Sequence, residues 1–214
     1  MSDADPEKAH EAVLRWSSQV WAFGVGNPLW IRESLKILRW MRSQGARVFL
    51  DLKWHDSPSA VASVVRACVP DEPWGMTLHC LGGYSMLRES VSACQQESEK
   101  LGVERPLLFG VTVPEHLPGR ELYRMGMNRT VESQIKRLSV MALDACLDGV
   151  VCPPYGVEAV RKACGTDFLV IADGVREDRF NRASERVMAD FFALEEKVFE
   201  KVTKREVIQH AATR

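Results

Sequence analysis

Residues 48–58 read Val48-Phe-Leu-Asp51-Leu-Lys53-Trp-His55-Asp56-Ser-Pro58 and are the most informative stretch for the fold. The stretch begins as an apolar run, and charged residues enter only where that run ends. Successive side chains of a strand point to opposite faces, so Asp51 and Lys53 share one face and Asp56 follows in the loop. The stretch therefore predicts a buried strand that presents charged groups at its carboxyl end.

Short apolar runs of this kind recur along the chain and alternate with amphipathic segments. Continuous apolar runs are typical of strands that are covered on both faces. The predicted strands are Val20–Gly26, Arg47–Trp54, Met76–Leu81, Leu107–Val113, Gly149–Pro153 and Phe168–Asp173. Because helical segments follow the strands, we expect a parallel sheet, either a (β/α) barrel or an open doubly wound sheet. Both place functional groups at the carboxyl ends of the strands.

Three apolar stripes at helical spacing lie between or after these strands. The first is Ile31, Leu35, Leu38 and Met41, with Gly45 as its expected stop. The second is Val131, Ile135, Leu138, Ala142 and Ala145, with Thr130 placed to cap it. The third is Val187, Phe191, Leu194, Val198 and Val202, which predicts a C-terminal helix over 184–210.

The composition is that of one globular domain over 1–214, with 46% apolar and 27% charged residues. A formal net charge of −1 gives no reason to expect nucleic acid or an anionic membrane as a partner. No apolar run is long enough to span a bilayer, and the acidic start MSDADPEKAHEA excludes a signal peptide. Six scattered cysteines without a CxxC pair indicate buried free thiols, so we expect a cytoplasmic protein.

Asp51, Lys53 and Asp56 are the candidate catalytic residues. Two carboxylates and an ammonium group this close together should influence one another's protonation, as groups in active sites do. The alternative is a structural salt bridge that closes the strand, and isolated Asp-x-Lys pairs are often structural. The position at the end of a buried strand, with His55 alongside, favours a functional site.

The stretch FLDLKWHDSP (49–58) resembles the FLDLKFHDIP signature of the orotidine 5′-monophosphate decarboxylases. Further similar segments follow in the family's order, and together they span residues 20 to 188. They are LHCLGG (78–83), FGVTV (109–113), MGMNRTVESQIKRL (125–138), LDGVVC (147–152) and DFLVIADGVR (167–176). The suprafamily also includes sugar-phosphate decarboxylases and hexulose-phosphate synthases.

The resemblance implies a cofactor-free lyase within a TIM barrel and gives each charged residue a role. Asp51 would crowd the substrate carboxylate, and Lys53 would stabilise and protonate the carbanion that remains after CO2 leaves. Asp56 would reach across a two-fold interface to the lysine of the other subunit, which implies a homodimer. A preorganised charge array replaces the electron sink that a cofactor would supply.

Several positions depart from the family pattern. Gly24 stands where the family has a lysine, or a glutamate in the sugar-phosphate branch, before Val-Gly in its second strand. Ala60 replaces a ligand-contacting threonine, and Pro153 replaces a serine that touches the pyrimidine. We find neither the family's first strand nor an eighth strand with its phosphate-binding arginine. The resemblance therefore predicts an incomplete barrel, with exposed edges that the C-terminal helix or a partner chain would cover.

His55, His79, Thr112 and Arg176 are the candidate substrate-binding residues. Arg176 follows a predicted strand and could bind a phosphate group. His79 and Cys80 show no recognisable metal-ligand spacing, so no metal site is predicted.

Two classes of function remain open. One is a decarboxylase, or an enzyme of related carbanion chemistry, that acts on a carboxylated nucleotide or a similar small acid. The other is a non-catalytic or partner-dependent homologue retained for a homodimer or a heteromer with a related chain.

Overall fold

The structure, a computed structural model, describes residues 5–17 and 20–173 of the chain. The predicted C-terminal helix over 184–210 lies outside these residues. The helices of the described part are α1 (Pro6–Trp16), α2 (Asn27–Glu33), α3 (Leu35–Ser43), α4 (Pro58–Cys68), α5 (Gly83–Leu101), α6 (Gly119–Arg124), α7 (Val131–Asp144) and α8 (Val157–Cys164). The strands are β1 (Phe23–Gly26), β2 (Val48–Trp54), β3 (Gly75–His79), β4 (Leu107–Val111), β5 (Gly149–Cys152) and β6 (Leu169–Ala172).

The six strands form one parallel sheet in the order β1-β2-β3-β4-β5-β6. All six predicted strands are confirmed, with ends that differ from the prediction by a few residues. Consecutive strands are neighbours, as in a TIM barrel, and within the described residues β1 and β6 each pair on one side only. The fold described by residues 5–17 and 20–173 is therefore an incomplete barrel of this type, with six of the usual eight strands, as predicted.

Side chains of the sheet alternate between two apolar layers. The larger layer lies between the sheet and the helices and includes Leu50 and Leu52 of β2 and Met76 of β3. The opposite, inner face carries a smaller cluster, in which the Phe49 and Phe109 rings meet edge to face at 5.6 Å. The inner face is therefore apolar at the amino ends of the strands, which leaves its carboxyl end for polar groups.

The predicted helix from Ile31 to Met41 is wrong in one respect, because the structure has two helices there. Ser34 separates α2 from α3 with a positive φ of 48°. The break changes which side of the segment meets the core: Leu38 and Met41 are buried, whereas Ile31 is 78% exposed. Gly45 has a positive φ just beyond the end of α3, as its role as a stop requires.

The predicted helix after Thr130 is confirmed as α7. The Thr130 hydroxyl accepts a hydrogen bond from the backbone N–H of Ser133, so it caps the helix as expected. Ile135, Leu138 and Ala142 are buried on one side of the helix.

The cysteines are free thiols, but they are not all buried as predicted. Burial raises the pKa of Cys80 and Cys152 to about 12, which keeps these thiols protonated and unreactive. Cys146 is exposed, because it lies in the turn after α7 with a φ of 65° rather than inside a helix.

The close approach of β5 and β6 predicts a difference between two glycines of the sheet. A side chain at Gly149 would collide with the backbone carbonyl of Leu169, whereas no atom lies within 4 Å of a Cβ built on Gly24. We expect Gly149→Ala to lower the free energy of unfolding by about 1–3 kcal/mol through overpacking. Urea denaturation measures this change in the free energy of unfolding. Gly24→Ala is the control and should change that free energy by less than about 0.5 kcal/mol. Equal effects of the two substitutions would contradict this account of the strand contact.

Candidate functional site

The end of β2 brings Asp51 and Lys53 together on the inner face of the sheet. The Lys53 ammonium donates to Asp51 Oδ2 over 2.5 Å, and each side chain is 33% exposed. Leu50 and Leu52 point to the opposite face and are buried under the helices. The same-side arrangement expected from strand periodicity is confirmed, and the pair is accessible to a ligand.

The pairing of β2 with β3 is irregular at this pair. Leu50 is opposite Met76, but Trp54 is opposite Leu78. A step of four residues along β2 therefore corresponds to a step of only two residues along β3. Lys53 has a positive φ of 51°, which is uncommon for a residue other than glycine. Unusual backbone of this kind is concentrated at functional sites.

Thr77 of β3 lies directly against this irregularity and is a residue that the sequence analysis missed. Its side chain is buried, and its hydroxyl accepts a hydrogen bond from the Lys53 backbone N–H at 2.8 Å. The same hydroxyl lies 3.1 Å from Asp51 Oδ1, to which it donates. The sequence did contain a signal for this residue, because Thr77 is a polar residue within an apolar strand and lies on the same face as His79.

Asp56 lies beyond the strand, in the loop before α4. It is exposed, and its carboxylate accepts a hydrogen bond from the Ser57 backbone N–H. The structure thus brings Asp51 and Lys53 into direct contact and places Asp56 on the neighbouring surface. Its participation in a catalytic group stays a prediction.

His55 and His79 form a stacked pair at the same end of the sheet. Their ring centroids are 5.4 Å apart and the rings are inclined by 21°. His79 Nδ1 accepts a hydrogen bond from the Leu81 backbone N–H, so a neutral His79 ring carries its proton on Nε2. Burial lowers the pKa of His79, and the neighbouring His55 and Lys53 lower it further. A neutral ring that can donate a hydrogen bond suits contact with an anionic ligand.

The other two candidate binding residues are placed differently. Thr112 is buried, and its hydroxyl donates to the backbone carbonyl of Val151 at 2.9 Å, which ties β4 to β5. Arg176 lies outside the described residues. Substrate contacts by either residue stay predictions.

Gly24 lies on the inner face of β1, opposite Phe49 and two residues before the level of Asp51. A Cβ built there would have no atom within 4 Å. The position at which the family carries a charged side chain is thus open space beside the Asp51–Lys53 pair.

No cluster of three or more His, Cys, Asp or Glu side chains could hold a metal ion within the described ranges. In the same ranges, no helix is long and apolar enough to cross a membrane.

A parallel sheet of consecutive βα units, with an ion pair at the carboxyl end of one strand, defines an α/β protein of the barrel class. The model of the orotidine 5′-phosphate decarboxylase / HUMPS family matches residues 4–198, so the chain belongs to this family. The resemblance found in the motifs is thereby confirmed.

Relatives with assigned names agree with this placement. The orotidine 5′-phosphate decarboxylase of Syntrophus aciditrophicus is 37% identical over 77% of this chain and 65% of its own length. That of Moorella thermoacetica is 35% identical over 90% of this chain and 77% of its own length. The chain thus matches about two thirds to three quarters of the length of these relatives.

Solved structures confirm the fold. An uncharacterized conserved protein from Geobacillus kaustophilus superposes with a TM-score of 0.76, at 21% identity, over 92% of this chain and 96% of its own. The orotidine 5′-phosphate decarboxylase of Lactobacillus acidophilus gives a TM-score of 0.75 at 22% identity, with the same coverage. At these identities the likeness concerns the fold alone.

The surroundings of His79 predict how its protonation responds to Lys53. We expect the pKa of His79 to lie below 6.5 and to rise in Lys53→Met, because this substitution removes a neighbouring positive charge. It should stay below 6.5, since burial is the largest cause of the shift. An NMR titration of the imidazole Cε1–H signals measures this pKa, with Lys36→Met, at an exposed position of α3, as the control. A midpoint that stays in place in Lys53→Met would refute the proximity of the two groups.

Proposed function

We propose that this chain is a cofactor-free carbon–carbon lyase that decarboxylates a carboxylated nucleotide or a similar small acid. The observation that carries the proposal is the contact between Lys53 Nζ and Asp51 Oδ2 at the open carboxyl end of β2. The names of the relatives support the reaction type and suggest a place in pyrimidine biosynthesis.

The proposed step needs only the charges of this pair. Asp51 lies beside the substrate carboxylate, and the bond between that carboxylate and the carbon skeleton breaks so that CO2 leaves. The electron pair stays on carbon, where the Lys53 ammonium stabilises it and then transfers a proton to it. A proton from solvent restores the ammonium. Fixed charges that match the developing carbanion can supply a large part of a rate enhancement.

Asp56 enters this proposal through a second copy of the chain. Its exposure, in the loop before α4, suits a residue that reaches a neighbouring active site. We propose a homodimer with residues 55–61, which form the loop before α4 and the first turn of that helix, at its interface. Two-fold dimers are the commonest assemblies of soluble proteins. A heteromer with a more complete relative is the alternative assembly.

Recognition of the substrate would involve the two histidines near the ion pair. His55 and His79 are well placed to contact an anionic group near Lys53. The sequence shows no motif like that of the family's eighth strand, which carries the phosphate-binding arginine. Binding energy from such remote groups normally also drives the chemical step. We therefore propose slow turnover of orotidine 5′-monophosphate, with a different carboxylated substrate as the alternative.

A second candidate function has one specific observation in its favour. Gly24 leaves open space where the family has a charged side chain, so the charge array is smaller than in the family pattern. On this reading the chain is non-catalytic, or acts only with a partner chain that supplies the missing groups.

Turnover of orotidine 5′-monophosphate tests both candidates. We expect kcat/KM for the chain alone to lie below about 10⁶ M⁻¹s⁻¹, a value typical of good enzymes. Lys53→Met should lower it by at least about 10²-fold, because the proton donor is lost. Ultraviolet absorbance follows the reaction, and Lys36→Met, at an exposed position of α3, is the matched control. An unchanged rate in Lys53→Met would refute the assigned role of this residue.

Gly24→Lys distinguishes the two candidates. Two residues of parallel strand measure about 6.6 Å, close to the length of a lysine side chain, so the new ammonium could reach the level of Asp51. For a working but depleted enzyme we expect a rate increase of at least tenfold, and no increase in the uncharged control Gly24→Gln. No turnover in either the original chain or Gly24→Lys would favour the partner-dependent homologue.

Complementation between inactive chains tests the shared site. A mixture of Lys53→Met and Asp56→Asn chains should regain about a quarter of the original activity, since half of random dimers are mixed and each restores one of two sites. A mixture of Lys53→Met and Asp51→Asn should regain none, because Asp51 and Lys53 act in the same chain. Light scattering at micromolar concentration establishes the assembly. A stable monomer there would exclude the shared-site dimer.

A further inference from the structure

The irregular pairing of β2 with β3 leaves one residue of β3 opposite three residues of β2. Leu50 and Trp54 are paired with Met76 and Leu78, so residues 51–53 face Thr77 alone. A bulge of this kind interrupts the backbone ladder, so a strand N–H within it needs another acceptor. The Lys53 N–H finds that acceptor in the Thr77 hydroxyl at 2.8 Å.

The Thr77 hydroxyl has a single proton, and its surroundings indicate where that proton goes. Asp51 Oδ1 lies 3.1 Å away and is a charged acceptor, whereas the Leu50 carbonyl lies farther, at 3.4 Å. Hydrogen bonds to charged groups are the stronger ones, so the hydroxyl donates to the carboxylate. One hydroxyl therefore connects the backbone of Lys53 to the side chain of Asp51.

The two contacts act on both members of the ion pair. The contact with the Lys53 N–H supports the positive φ of 51°, a conformation that surrounding structure must hold in place. The contact with Oδ1 leaves Oδ2 of Asp51 for the Lys53 ammonium, at 2.5 Å. Both charged side chains are thereby held in one relative geometry, although each is partly exposed.

We propose that Thr77 is a positioning residue, whose hydroxyl holds Asp51 and Lys53 in the geometry that the site requires. Its relevance to turnover rests on the proposed function, whereas its effect on the geometry does not. Valine would fill the same buried space and is favoured in strands, so packing alone gives no reason for a hydroxyl here. Burying a hydroxyl is unfavourable unless hydrogen bonds compensate for it, and here those bonds lead to the charged pair.

Two substitutions separate the hydroxyl from the packing. Thr77→Val keeps the shape and removes the hydroxyl, while Thr77→Ser keeps the hydroxyl and removes a methyl group. The first measurement is hydrogen exchange at the Lys53 backbone amide in the full chain. The second is the rate at which acetic anhydride labels the Lys53 amine, with exposed Lys36 as the internal reference.

We expect Thr77→Val to accelerate exchange of the Lys53 amide about tenfold and to change its labelling at least threefold relative to Lys36. A hydrogen bond worth about 1.4 kcal/mol corresponds to such a tenfold change. Thr77→Ser should stay within about threefold of the original chain in both measurements. If turnover is detected, Thr77→Val should lower kcat at least tenfold with KM changed less than twofold, and Thr77→Ser should retain most of kcat.

The outcomes are distinguishable from those of the proposed function. The original chain could show no turnover while Thr77→Val, but not Thr77→Ser, accelerates hydrogen exchange at the Lys53 amide. This outcome would support the positioning role and reject the lyase. If Thr77→Val has the same Lys53 amide exchange rate and the same Lys53 labelling rate as the original chain, the positioning role is overturned, whatever the turnover. Equal defects in Thr77→Ser and Thr77→Val would overturn it as well, because the methyl group would then be the cause. Thermal unfolding of both variants shows whether a defect is local or reflects loss of the fold.

Discussion

The contact between Asp51 and Lys53 is the interaction around which the site is arranged. Two opposite charges at the end of a buried strand are tolerated because they compensate each other and keep contact with solvent. Their position also depends on the sheet, since Leu50 and Leu52 anchor the other face of β2 under the helices. The buried strand thus presents a charged pair at one end without placing an uncompensated charge in the core.

The inner face of the sheet divides into an apolar and a polar end. Aromatic contacts, such as that between Phe49 and Phe109, fill the amino end and support the strands. The polar end carries the ion pair and the stacked rings of His55 and His79. In TIM barrels generally, the amino end of the strands provides stability and the carboxyl end carries the functional groups.

If the chain acts as proposed, it does so with an Asp51–Lys53 pair and with glycine at one position where the family pattern has a charged residue. Lys53 and Asp51 are in contact, whereas Gly24 leaves an open position beside them. A missing charge would lower the stabilisation of the proposed transition state, because a fixed charge stabilises a developing carbanion only if it is present and oriented. On the proposed function, the rate would therefore depend on the electrostatics of Asp51 and Lys53 and on substrate binding rather than on the fold.

Local periodicity in the sequence determined much of this protein. Apolar runs and helical stripes predicted the six parallel strands and α7 with its Thr130 cap, and a spacing of two placed Asp51 and Lys53 on one face. The motifs predicted the family, which the family model confirms. These features depend on residues that are adjacent or a few positions apart, so they can be predicted from the amino-acid sequence.

Tertiary structure alone decided the features that depend on register between distant segments. The helix break at Ser34 shows in the positive φ of that residue, and the stripe of apolar residues did not reveal it. The contact of Thr77 with Lys53 joins residues 24 positions apart and exists because β2 and β3 pair irregularly at that point. Strand periodicity sets which face a side chain takes, but it does not set which residue of a neighbouring strand lies opposite.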